Sequence, residues 1–470
     1  MDKPNGEMDW AAQEFGGADL GDTRRTKRLV DVAAELARRP GGRITDVFGD
    51  GAEREGAYRL VENDEVVPRA LGTASSQATL ERAQGMERVF VPVDGTSLSL
   101  TDELGQKGLG KVGARQKGAT GLQVMNAIAV GPDGTPLGLC GQVYWARCKR
   151  STRTSDKSDT RPLAQKETRY WLELMDETRT LFDGSSVRPW FQLDRGGDAG
   201  AVLLDGLLGF GDFTVRSAYD RRVQTDDDAA RQYLRAAVEN GVEVGQYELK
   251  VSAGSGRKTR IAEMCIRVAQ VTLLLSEPGQ SKKIPTRCSL LLAREGATAP
   301  RGERPIDWLL ITNITIATRD DALLVLRGYA SRWRVEEFHK AWKSGACHVE
   351  ENQLRSAAAI ERWARIEAAV AMRVLRLTYV ARSTPDTAAA VELRPSELRI
   401  LPLMAKKNRY KPTFDGDAAA LPMGIAVEWI AQLGGYTGRK SSGGPPGAIV
   451  ITRGLRRLVD AAAAIDLLEK

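Results

Sequence analysis

Two stretches decide the fold: RVFVPVDGTSLSL at residues 88–100 and RPWFQLD at residues 188–194. Both are dominated by β-branched, aromatic and other apolar residues, as buried strands are. Each apolar run stops at an aspartate, Asp94 in the first and Asp194 in the second. A charged residue closing a buried strand sits at a sheet edge, where loops gather and sites form. Working outward, GLQVMNAIAV (121–130) and PLGLCGQVYWAR (136–147) read as further strands. The turn Gly131-Pro132-Asp133-Gly134 joins them, so a meander is expected.

Helical periodicity alternates with strands after that. A helix is expected over 164–182, the strand at 188–194 follows, then a helix over 199–209 and a strand over 212–220. Residues from about 222 to 303 interrupt the alternation with YELKVSA, RIAEMCIRVAQVTLLL and CSLLLAR, a β-rich insertion. IDWLLITN (306–313) resumes the core, and one long helix is expected over 320–346. Beyond it lie a helix over 358–382 and shorter helices, with SSGGPPG (441–447) as a loop. The pattern implies an α/β fold with helices on the faces of a mixed sheet.

The N-terminal 66 residues read as helical. Asp22 caps a helix in which Leu29, Val30, Ala33 and Leu36 recur at helical spacing, and EREGAYRLVEN forms a second. Arg24, Arg25, Lys27 and Arg28 crowd the start of the first helix. Cations are disfavoured there by the helix dipole, so an external anion such as a DNA phosphate backbone would relieve them. The alternative is a solvated face.

At about 150 residues per domain, 470 residues suggest about three domains. A hydrophobic fraction of 42% with 27% charged residues excludes wholesale disorder. The net charge of +7 permits nucleic acid without requiring it. No apolar run is long enough to span a membrane, and MDKPNGEMDWAAQEF has no apolar signal core, which points to the cytoplasm. Five scattered cysteines form no CxxC pair, and only His339 and His348 represent histidine. A metal here would be held by carboxylates, which favours magnesium or manganese. Asp94, Asp194 and an acid from WRVEEFHK, either Glu336 or Glu337, could hold two ions about 3.5–4 Å apart for phosphodiester chemistry. The stretch Gly105-x4-Gly110-Lys111 imitates a P-loop. Val112 stands where Ser or Thr is needed and no helix is expected to open there, so no nucleotide cofactor is expected.

Within YASRWRVEEFHKAWKSGA the spacing Tyr329-x2-Arg332-x3-Glu336-x6-Lys343 resembles the signature of the insertion-sequence-four family of bacterial cut-and-paste transposases. GDTRRTKRLV, EGAYRL, DGTSLSL at Asp94, LDR at Asp194, TVRS at Arg216 and IAQLGGY extend the resemblance over nearly the whole chain. It implies an RNase H-like mixed-sheet core with a β-rich insertion, flanked by helical domains. The implied division is 1–66 for transposon-end binding, 67–382 for catalysis with the insertion at about 222–303, and 383–470 for dimerisation. It also implies a catalytic, metal-binding DDE triad of Asp94, Asp194 and Glu336, which selects Glu336 over Glu337, and two magnesium ions replaceable by manganese. Arg332, Lys340, Lys343 and Tyr329 would hold phosphates, Trp308 would stack on a flipped base, and Arg216 would lie near a DNA hairpin. The implied partners are double-stranded transposon ends and target DNA, bound by a homodimer in a synaptic complex at the nucleoid, with no membrane. Two departures stand out: Gly196-Gly197, where the family often carries an acid, and AIVITRGLRRL after Pro446-Gly447, where tryptophans are common. A DNA-binding inhibitor or decayed transposase, and a nuclease that cleaves without joining, are the competing readings.

Overall fold

The computed structural model describes residues 10–113, 118–147, 162–225, 232–251, 258–296, 299–300, 302–438 and 445–468. The N-terminal helices are α1 (Trp10–Phe15), α2 (Thr23–Arg38), α3 (Ile44–Val47), α4 (Gly51–Val61) and α5 (Pro68–Ala83). The strands β1 (Arg88–Ser99), β2 (Gly110–Lys111), β3 (Thr120–Val130) and β4 (Pro136–Trp145) follow. Next come α6 (Thr168–Phe182), β5 (Arg188–Leu193), α7 (Gly200–Leu208) and β6 (Asp212–Arg216). The insertion comprises β7 (Arg222–Val223), β8 (Gln232–Tyr233), α8 (Leu234–Glu239), β9 (Val242–Val251), β10 (Arg260–Leu275) and β11 (Ile284–Glu295). The chain ends through β12 (Asp307–Thr312), α9 (Arg319–Ser331), α10 (Trp333–Lys340), α11 (Ala357–Ser383), α12 (Pro395–Asn408), α13 (Met423–Leu433) and α14 (Ala448–Leu468). The fold is mixed α/β with helices at both ends, and the strands stand where β-branched runs and turn signals placed them. Of the loop expected at 441–447, residues 441–444 lie outside the described residues, as does Cys148.

Two compact units, each discontinuous in sequence, make up the chain. The first comprises 1–84, 95–151 and 334–470; the second comprises 85–94 and 152–333.

In the first unit, α11 is the central element. It is buried on nearly all sides from Ala359 to Thr378, and its alanines let neighbours approach closely. Its polar side chains end on backbone groups that need partners. Arg362 donates to Val61 O and Val66 O, Trp363 Nε1 to Gly42 O, and Arg365 to Gln142 O. Two buried ionic clusters form here, one linking α1 to α5 and one on α11. Glu14 accepts from Ser75 at 2.5 Å and Arg82 at 2.9 Å, while Glu392 pairs with Arg376 and lies 3.8 Å from Arg373. The antiparallel pair β3–β4 turns at Gly134, whose φ of +87° suits glycine. The end of β1 joins this pair through Leu100 N to Thr120 O at 2.8 Å, which completes the meander.

In the second unit a mixed sheet runs in the order β1–β5–β6–β12–β11–β10, with β9 also on β10. The β1–β5 and β5–β6 pairs are parallel, and the pairs from β6 onward are antiparallel. Val89, Phe90, Val91 and Val93 are all buried, as expected of a strand covered on both faces. Residues 222–303 are β-rich, their strands β11 and β10 continue the sheet from β12, and they also hold the short helix α8.

Two expectations fail: the strand expected over 212–220 ends at Arg216, and the long helix is interrupted. The helix expected over 320–346 is not continuous. Helix α9 ends at Ser331, whose hydroxyl donates to Gly328 O, and Arg332 N turns back to Tyr329 O at 3.1 Å. Helix α10 then starts at Trp333 and gives way to a π-turn at Ala341–Gly345. The boundary between the two units falls between Trp333 and Arg334.

Gly206 shows how closely α7 sits on the sheet. A Cβ there would lie 2.3 Å from Phe213 Cδ2, and the Phe213 ring is fully buried. Gly206→Ala in an open helix would gain about 1 kcal/mol. Here it is expected to lose about 1–3 kcal/mol through overpacking, read as a lower midpoint in urea denaturation.

Candidate active site

The parallel register of β1 and β5 pairs Val93 with Leu193. Asp94 and Asp194 are the next residues along the backbone, so they stand at neighbouring positions; Asp194 follows the end of β5, whereas β1 runs on past Asp94 to Ser99 instead of closing there. A carboxylate largely removed from water needs a counter-charge. Arg332 supplies it to Asp94, with Nη1 at 3.3 Å from Oδ2 in a pair where the side chains are only 12% and 20% exposed. Asp194 caps the short 3-10 turn Arg195–Gly197 by accepting from Gly196 N at 2.7 Å.

Around this pair the second unit gathers four of the expected DNA-binding residues. Arg216 ends β6, opposite Leu310 of β12, and donates to Asp307 O at 2.9 Å. Tyr329, near the end of α9, is buried rather than presented to solvent. Its ring meets Trp308 edge-on at 5.4 Å. Burial pushes its phenol up, against the pull of Arg216 and Arg332. Trp308 is half-buried on β12. Trp308, Tyr329, Arg332 and Asp94 thus form one connected line. Arg332 sits at the junction of α9 and α10 with helical dihedrals, φ −53° and ψ −31°.

Glu336, Lys340 and Lys343 belong to the first unit. Glu336 lies in the first turn of α10, and Lys340 is exposed. Lys343 Nζ donates to Ser97 O at 2.7 Å and pairs with Glu350 at 3.2 Å. Glu337 is committed elsewhere: both its oxygens accept from Tyr379 Oη, at 2.9 and 2.8 Å, and Arg334 lies at 3.2 Å. Among the described residues neither unit holds three or more His, Cys, Asp or Glu side chains grouped to bind a metal. Carboxylates such as those of Asp94 and Asp194 are hard oxygen donors, of the kind magnesium or manganese takes.

The N-terminal cations are partly served within the chain. Asp22 caps α2 through Arg24 N and pairs with the Arg24 guanidinium at 2.8 Å. Those bonds hold the Asp22 carboxyl down at about 2. Arg25 donates to Leu20 O, while Lys27 and Arg28 are exposed. The crowding expected to demand an external anion is therefore eased by an internal one. In the P-loop imitation, Gln106 N and Lys107 N donate to Asp102, and Gly110–Lys111 form a strand.

Sequence reasoning missed Asp198. Its fully buried carboxylate accepts from Ala218 N at 2.6 Å, Tyr219 N at 3.1 Å and Arg221 Nη1 at 2.7 Å. It ties the turn after Asp194 to the loop after Arg216. Gly197 makes this fold-back possible, because a Cβ there would lie 2.6 Å from Leu193 Cδ2. The double glycine at 196–197 was the available signal. Asp198→Ala would strand Arg221 and two amides, and a loss of about 3–5 kcal/mol is expected in chemical denaturation.

Residues 7–66, which hold α1 to α4 and the cation-rich start of α2, match the family model for transposase DNA-binding. That match supports a transposase with DNA as its partner.

Proposed function

We propose that this chain is a DDE cut-and-paste transposase of the insertion-sequence-four type, with an RNase H-like catalytic core. The observation that carries the reading is the combination of a transposase DNA-binding segment at 7–66 with two aspartates at neighbouring positions on parallel strands, each just past the last β1–β5 pair. In this reading 1–66 binds the transposon end, 67–382 cuts, and 383–470 brings two copies together as a synaptic homodimer in the bacterial cytoplasm.

Asp94, Asp194 and Glu336 would hold two magnesium ions, or manganese in their place, which supply activation of the attacking oxygen and stabilisation of the leaving one. Four phosphoryl transfers follow in order. Water attacks at the transposon end and the 3′ oxygen leaves as a hydroxyl. That hydroxyl attacks the opposite strand, closes a hairpin and releases the flanking DNA. A second water opens the hairpin. The regenerated 3′ hydroxyl then attacks a target phosphodiester and displaces a target 3′ oxygen.

The chain's own residues divide this work. Arg332 pairs with Asp94 and holds its carboxylate in place. Lys340 is exposed for binding phosphate, and Lys343 can exchange its present carbonyl for one. Trp308, half-buried against Tyr329, offers a ring face to a base turned out at the hairpin, worth about 1–3 kcal/mol. Tyr329 supports that ring and orients Arg216 and Arg332 toward the DNA backbone.

Three measurements test this. On a duplex bearing the element's ends, with magnesium, a denaturing gel should show a nick and then a hairpin. Asp94→Ala, Asp194→Ala or Glu336→Ala should abolish both while gel-shift binding survives. End binding by wild type without either product would instead favour the inhibitory or decayed protein. Trp308→Ala should slow the hairpin more than the first nick, and equal slowing would remove the base-stacking role. Replacing Arg24, Arg25, Lys27 and Arg28 together should weaken end binding and flatten its salt dependence, the log–log slope falling by about 0.9 for each phosphate no longer neutralised.

A further inference from the structure

A line of buried polar side chains in the first unit ends on the helix that carries Glu336. Tyr144 Oη donates to Gln142 Oε1 at 3.3 Å, Gln142 Nε2 donates to Asn126 Oδ1 at 2.7 Å, and Asn126 Nδ2 meets His339 Nε2 at 3.0 Å. Asn126 and Gln142 are buried on β3 and β4 and face each other in register. Burial pushes the Tyr144 phenol far above its ordinary range, so it stays a protonated donor, and Arg365 lies over its ring at 4.8 Å.

The line has a direction. Each amide oxygen takes the proton of the group before it, so each amide NH2 faces onward. Asn126 therefore presents a donor to His339, and Nε2 must accept. A neutral imidazole that accepts at Nε2 carries its proton on Nδ1.

The position of His339 gives this consequence. It lies three residues after Glu336, on the same side of α10. Helix α10 has eight residues and ends in a π-turn, so side chains must fix its roll. Phe338 stacks on Trp342 at 5.6 Å, Lys343 reaches Ser97 O, and His339 reaches Asn126. Arg334 donates to Gly134 O at 3.1 Å and Glu337 accepts from Tyr379, so α10 has polar anchors on other sides too; His339 is the one three residues on from Glu336, on its side of the helix.

We propose that His339 is a positioning residue for Glu336, held as its Nδ1–H tautomer by the Tyr144–Gln142–Asn126 line. It sets the roll of α10 and hence the aim of the Glu336 carboxylate. This builds on the proposal above that Glu336 is a catalytic acid.

The chain has only two histidines, His339 and His348. In the full-length protein labelled with 15N-histidine, long-range proton–nitrogen correlation spectra read both tautomers, and His348→Gln assigns them. His339 is expected as Nδ1–H. Tyr144→Phe removes the first donor and spares the fold, and a mixture of tautomers should result. Asn126→Ala should lower magnesium-dependent strand cleavage on the order of 10–100-fold, as loss of a supporting partner does, with end binding unchanged. His339→Gln, whose amide oxygen can still accept from Asn126, should keep more cleavage than His339→Ala. A wild-type His339 in the Nε2–H form, or Asn126→Ala cleaving at the wild-type rate, would overturn the proposal. Glu336→Gln separates the two levels. If it cleaves normally, Glu336 is not catalytic, whatever the tautomer. If it is inactive while Asn126→Ala is normal, only the role of His339 falls.

Discussion

The register between β1 and β5 is the constraint on which the second unit depends. Six residue pairs, from Arg88 with Arg188 to Val93 with Leu193, fix it. Side chains alternate along a strand, so a slip of one residue would exchange the faces of β1 and separate Asp94 from Asp194. The core resists such a slip because Phe90, Trp190 and Phe191 fill fixed volumes, with the Phe90 and Trp190 rings 5.5 Å apart. Register also brings the two aspartates to neighbouring positions. Arg332, at the end of α9, pairs with Asp94, and Asp198 holds the turn that Asp194 caps. Packing and site geometry are therefore set by one pairing.

Much of this was legible because strands announce themselves. The runs ending at Asp94 and Asp194 are apolar and β-branched up to the aspartate, and the turn at Gly134 is marked by its residues. Helix α5 was not legible for a physical reason. It carries Thr73, Ser75, Ser76 and Thr79 in place of an apolar stripe, and their hydroxyls bond to Arg69 O, Glu14, Gly72 O and Cys140 O, and Ser75 O. Those partners are mostly tertiary or a turn away, so periodicity has nothing to detect. The break at Arg332 was hidden for the opposite reason. Residues 319–343 are mostly good helix formers, and only the Ser331 hydroxyl and the divided packing of the two halves interrupt them.

The site divides along the same line. Two acids ending apolar runs can be picked out from sequence alone, and the structure puts them side by side. Choosing Glu336 over Glu337 could not be done by spacing, because both fall on one helix turn. Glu337 accepts from Tyr379 and pairs with Arg334. Asp198, Asn126 and the pairing of Arg332 with Asp94 escaped notice because these roles exist only between residues far apart in sequence. Arg332 lies 238 residues from the aspartate it pairs with, and Asn126 lies 213 from His339.

Charge is where sequence and structure diverge most. A surplus of +7 and four cations in five positions suggest an electrostatic footprint for DNA. Yet many arginines in this chain are structural. Arg362, Arg365, Arg82, Arg373 and Arg179 place guanidinium groups on backbone carbonyls or buried carboxylates. Each satisfies carbonyls that a helix end or strand edge would leave unpaired. Even at the start of α2, Asp22 serves as both cap and counter-ion for Arg24. Net charge thus counts many cations already committed to the fold. What a phosphate backbone can meet is the smaller set presented to solvent, such as Lys27, Arg28 and Lys340, and its placement matters more than the total. The separation also has a thermodynamic side. Arginines buried against carbonyls cannot displace counterions from DNA on binding, so only the exposed set contributes to the salt dependence of DNA affinity.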